Sequence, residues 1–64
     1  MDEYADIHAE SFTKALRAAL EEFDNGRERL AFVEFTPSVK AGRRYLGVLC
    51  DDGRQFAIQV DCIV

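Results

Sequence analysis

Chemistry-bearing residues are scarce in this chain: 64 residues hold one histidine and two cysteines, with no C-x-x-C and no H-x-x-x-H spacing. That scarcity argues against a metal centre, which gathers three or four ligands, and against a nucleophile with its own base. The remaining candidates are His8, Ser11, Thr13, Cys50 and Cys62. On a helix, Asp6, His8 and Glu10 point in three directions, so His8 reads as a flank residue packing beside Phe12. A chain of this size has one core and little volume for a pocket. The expectation is a binding protein that is not an enzyme and uses no metal or cofactor. Also lacking are the ~20 consecutive apolar residues of a membrane span and a basic start followed by an apolar run and a cleavage site. The expected location is the cytoplasm. No repeat, linker or low-complexity segment breaks the chain, which is expected to form a single domain over residues 1–64.

Glycine and proline are missing from Glu3 to Asp24, where alanine and leucine are abundant and acids crowd the first turns. This predicts a helix. At 100° per residue, Ala5, Ala9, Phe12, Leu16, Ala19, Leu20 and Phe23 form the expected buried stripe. Glu3, Asp6, Glu10, Lys14, Arg17, Glu21 and Asp24 form the opposite ridge. Asn25-Gly26 supplies the left-handed residues that end a helix.

Three strands are expected after it. Arg29 to Thr36 is aromatic and β-branched and stops at Pro37; Arg44 to Cys50 follows a loop; Phe56, Ile58, Val60 and Cys62 alternate with more polar neighbours. The predicted fold is α+β, an N-terminal helix on a three-stranded antiparallel sheet in the order α-β-β-β. Asp52-Gly53 reads as a two-residue type I′ turn, which sets Leu49 opposite Phe56, Gly47 opposite Ile58 and Tyr45 opposite Val60. Ala31, Val33 and Phe35 join those residues on the face expected to seat the helix, with Gly47 allowing close approach. The other face then carries Leu30, Phe32, Leu46 and Val48 as an apolar patch, a second interface or homodimer surface; the alternatives are that the N-terminal residues or Ile63-Val64 fold back over it, or that the register is off by one. Cys50 and Cys62 fall on opposite faces and are expected to be reduced.

The net charge of −4 is unevenly placed. Residues 1–24 hold seven acids (Asp2, Glu3, Asp6, Glu10, Glu21, Glu22, Asp24) against two bases, whereas residues 25–64 hold five acids against six bases. Glu21, Glu22 and Asp24 sit where negative charge opposes the helix dipole, so a functional reason is expected for them. Lys40, Arg43, Arg44 and Arg54 are spread over both ends of a hairpin and form a weak nucleic-acid footprint; direct nucleic-acid binding is not expected.

In size, compactness and the acidic stretches MDEYADIHAE and EEFD, the whole chain resembles the small acidic inhibitors of phages, in particular anti-CRISPR proteins. That resemblance implies that Asp2, Glu3, Asp6, Glu10, Glu21, Glu22 and Asp24 mimic phosphates. The implied partner is a protein or ribonucleoprotein with a basic nucleic-acid-binding surface, in the cytoplasm of a host cell. Lys14 and Arg17 interrupt the ridge. The alternative from the residues alone is an antitoxin-like or adaptor module that uses the apolar outer face of its sheet.

Overall fold

The computed structural model describes residues 3–35 and 41–63, and has the expected order: helix α1 (Glu3–Asp24), then strands β1 (Leu30–Phe35), β2 (Arg43–Cys50) and β3 (Gln55–Asp61). The strands form one antiparallel sheet in the order β1-β2-β3, and α1 lies chiefly over the central strand. Asp2, Lys40 and the Pro37 stop fall outside the described residues, as does the side chain of Glu3.

Asn25 and Gly26 end α1 with φ of 53° and 73°, the left-handed conformation anticipated for this pair. The β1–β2 register also follows the symmetric pairing, with Phe35 opposite Tyr45, Val33 opposite Gly47 and Ala31 opposite Leu49.

The β2–β3 register differs from the expectation by one residue. Leu46 lies opposite Ile58 and Val48 opposite Phe56, because the turn is a three-residue loop, Asp51-Asp52-Gly53, in place of a two-residue one. Cys50 N–H donates to the Arg54 carbonyl at 2.8 Å, Gly53 N–H donates to the Cys50 carbonyl at 3.0 Å, and Gly53 takes φ 93°. This is a type I turn completed by a left-handed glycine, the alternative hairpin closure open to an Asp-Gly pair.

A slip of one residue moves every side chain of a strand to the opposite face. Phe56, Ile58 and Val60 therefore join Leu30, Phe32, Leu46 and Val48, making that face the more apolar one, and α1 covers it except at Phe56, which is 55% exposed. Leu46 is 0% exposed and Val48 7% exposed, so the expected outer patch of Leu30, Phe32, Leu46 and Val48 is instead the floor of the core. Cys50 and Cys62 share this face. They sit at opposite ends of the sheet, beside Arg54 and Gly42 respectively, a separation of more than about 20 Å along the strands that no disulfide spans.

The helix is also rolled relative to its predicted stripe. Ala9 and Thr13 are its fully buried residues, while Phe12 and Phe23 are 60% and 79% exposed. Two charge pairs accompany the roll: Arg44 Nη2 lies 2.9 Å from Asp6 Oδ2, and Arg17 Nη1 lies 3.0 Å from Glu34 Oε2. These join the Asp6 and Arg17 flank to the sheet. Thr13 can be buried because its Oγ1 donates to the Ala9 carbonyl at 2.7 Å. The glycine in close contact with the helix is Gly42, at φ 81°, where an added Cβ would lie 3.1 Å from the Ala5 Cβ; Gly47 faces the other way.

Candidate interaction surfaces

Three surfaces result: the solvent side of α1, the uncovered face of the sheet, and a groove between α1 and β3. The acids of α1 do not stand together as one ridge. Asp6 Oδ1 accepts the Gly42 N–H at 3.4 Å, and its other oxygen pairs with Arg44. Glu10 lies 3.7 Å from Lys14 Nζ and 4.0 Å from Arg44 Nη2. Glu21 pairs with Arg17 Nε at 3.4 Å, and Asp24 Oδ1 accepts the Arg29 N–H at 3.3 Å. That last bond ties α1 to the first residue after its terminal loop, which compensates a carboxylate at the unfavourable end of the dipole. Glu22 is exposed and has no ion pair among the described residues.

The bases are likewise engaged. Arg17 is clamped between Glu21 and Glu34, with its guanidinium carbon 5.7 Å from the Phe32 ring centroid. The Glu34 hydrogen bond raises Arg17 above the usual arginine range, and the Asp61 hydrogen bond does the same for Arg43. Arg43 grips both Asp61 oxygens, at 2.7 and 3.1 Å, on the outer face of the sheet. Arg44 serves the helix side, and Arg54 pairs with Asp52 in the hairpin loop at 3.4 Å. Arg43, Arg44 and Arg54 thus lie on different faces and at different ends, each beside a carboxylate, an arrangement unlike a phosphate track.

The uncovered face carries Ala31, Val33, Phe35, Tyr45, Gly47, Leu49, Gln55, Ala57, Gln59 and Asp61. It is divided. Toward Arg43 it is polar: Tyr45 Oη donates to Gln59 Oε1 at 3.1 Å, and Gln59 Nε2 donates to Asp61 Oδ2 at 3.0 Å. Toward the hairpin it is apolar, with Val33 49%, Phe35 48% and Leu49 37% exposed around the small residues Gly47 and Ala57. The resulting hollow is about 360 Å³, and Phe35 is braced on its far side by stacking on Tyr45, with ring centroids 5.3 Å apart. An apolar outer face was anticipated, but its members are the residues expected to seat the helix. The register of β3 is the information that assigns them correctly.

The groove between α1 and β3 is larger, about 750 Å³, and is lined chiefly by Phe12, Leu16, Ile58, Val60 and Cys62. His8 and Ser11 stand at its rim. Among the described residues, no three His, Cys, Asp or Glu side chains come together as a metal site. No helix among them is long and apolar enough to cross a membrane. Compared with known proteins, the chain matches no family model, no curated protein and no solved structure.

Proposed function

We propose that this chain is a stoichiometric protein-binding module whose docking surface is the uncovered face of its sheet. The observation that supports this reading is the cluster of half-exposed Val33, Phe35 and Leu49 around the Gly47–Ala57 hollow. A partner that lays a helix or strand across the sheet, with one leucine, methionine or aromatic side chain lowered into the hollow, gains a desolvated anchor. The neighbouring Arg43, Tyr45, Gln59 and Asp61 supply a polar rim. Adaptor and inhibitor roles both consist of such occupancy and need no chemistry from the chain.

The acidic-helix reading has less support, because Asp6, Glu10, Glu21 and Asp24 each engage a group of their own chain. Affinity capture with matched variants separates the two. Val33→Asp with Leu49→Asp is expected to lose a protein that the wild type retains, while Glu21→Lys with Glu22→Lys keeps it. The reverse pattern favours phosphate mimicry and sinks the sheet-face proposal. Gly47→Leu fills the hollow from within and is expected to weaken binding roughly 30-fold, the loss of one buried anchor.

A further inference from the structure

We infer that the outer edge of β3 is a self-association edge, at which a second copy of this chain adds its own β3 to give a continuous six-stranded sheet with both helices on one side.

An exposed strand edge is normally guarded by a charge, a proline, a bulge or a covering element. β3 (QFAIQVD) has no proline, and its one charge, Asp61, sits at its end with its carboxylate gripped by Arg43. β3 is the last strand of the sheet, so no strand among the described residues lies on the outer side of Gln55, Ala57 and Gln59. The opposite edge, β1, is different: Arg17, Glu21, Asp24 and Glu28 stand around the pocket beside Leu30 and Phe32, a charged rim of the kind that guards an edge.

The sequence of β3 fits itself. Cys62 N–H bonds to the Gly42 carbonyl, so by alternation Phe56, Ile58 and Val60 direct their backbone groups toward β2, while Gln55, Ala57, Gln59 and Asp61 direct theirs outward. Only an antiparallel register with Ile58 on the two-fold axis pairs the whole strand. It sets Gln55 opposite Asp61 and Ala57 opposite Gln59, making about eight backbone hydrogen bonds. On the helix side it sets Phe56 opposite Val60 and Ile58 opposite its own copy, an apolar row. On the outer side the Gln55 amide meets the Asp61 carboxylate, and the two Asp61 residues stand apart.

The helix spacing agrees. α1 lies over β2, so the two helices of such a dimer are three strand spacings apart, about 14 Å. Helices in direct contact pack at about 8–10 Å. The gap is one that a large side chain from each copy fills, and Phe12, 60% exposed on the β3 side of α1, stands at it.

Sedimentation equilibrium of the full chain, from micromolar to millimolar concentration, tests this. The expected mass is twice the 7.3 kDa of one chain, and a single-chain mass at millimolar concentration overturns the inference. Phe12→Lys, at an exposed position, is expected to weaken association roughly 30-fold; Ala57→Pro removes an outward N–H and is expected to do the same. An association constant unchanged in folded Phe12→Lys overturns pairing at this edge, even if Ala57→Pro fails to fold. The register has its own readout, in a background of Cys50→Ser and Cys62→Ser. Opposed residues on the axis lie about 4.5 Å apart at Cα, within disulfide range, so Ile58→Cys crosslinks under mild oxidation and Leu49→Cys does not. Crosslinking at Leu49 alone identifies a face-to-face dimer and rejects the edge.

Discussion

Arg44 pairs with Asp6 on the flank of α1 that meets the sheet, and in that orientation Phe12 and Phe23 stand in solvent. Arg44 is the more buried partner, its side chain 20% exposed against 40% for Asp6, so removing Asp6 takes a carboxylate from a poorly solvated guanidinium. Backbone positions carry comparable weight. Glu28 holds φ 58° with a side chain that disfavours it. Glu28→Gly relieves roughly 1–2 kcal/mol of left-handed strain against roughly 0.5–1 kcal/mol of added chain entropy. The expected result is a rise in melting temperature of about 4 °C, read by circular dichroism. Gly42→Ala has the opposite sign. Its φ of 81° and the 3.1 Å approach to Ala5 add strain to overlap, and chemical denaturation should show a loss of roughly 2–3 kcal/mol. Arg17 and Arg43 titrate above the usual arginine range. Because a raised value favours the folded state only while the group is protonated, the stability they add is constant through neutral pH and is lost as pH rises past that range. A denaturation series from neutral to mildly alkaline pH should show no loss from these two groups.

At the scale of elements, the β2–β3 turn determines which face is inside. Asp51-Asp52-Gly53 places Gly53 at φ 93° as the third residue of its loop. Deleting Gln55 keeps this loop closed by Cys50 and Arg54 but sets Leu49 opposite Phe56 and Gly47 opposite Ile58, which transfers Phe56, Ile58 and Val60 to the solvent face. The deletion variant is expected to lose cooperative thermal unfolding and to bind a hydrophobic dye; cooperative unfolding near the wild-type temperature would show that the turn does not set the register. The same turn explains what was legible in the sequence. Helix, strands, order and the β1–β2 register follow from periodicity and from Asn25-Gly26. The inside face did not, because an Asp-Gly pair marks where φ becomes positive but not whether that residue is second of two or third of three. The discriminating signal was nonetheless present: only the three-residue loop brings Phe56, Ile58 and Val60 to the side of Leu46 and Val48. The roll of α1 was hidden for another reason. Asp6, Arg17, Glu34 and Arg44 are far apart in sequence, and no helical wheel contains the pairs they make.

For the whole molecule the governing fact is how little is fully buried. Ala9, Leu46 and Val48 are its buried hydrophobic residues among those described, and the particle measures 40 × 20 × 13 Å, a helix layer on a sheet layer. A two-layer domain of this length has a modest reserve of stability, and further burial against a partner adds to it. Two surfaces offer it, and they differ in consequence. Occupancy of the Val33, Phe35 and Leu49 face by a foreign partner leaves the behaviour of the purified chain unchanged, whereas pairing at β3 couples its folding to its own concentration. For a two-chain unfolding unit, each tenfold increase in concentration adds about 1.4 kcal/mol per dimer, which corresponds to a rise of about 5 °C in melting temperature for a unit of this size. Scanning calorimetry at three concentrations should show that slope in the wild type and in Val33→Asp, and a lower melting temperature at each concentration in Phe12→Lys. A wild-type melting temperature independent of concentration would mean that the exposed area of this fold is reserved for a partner of different sequence.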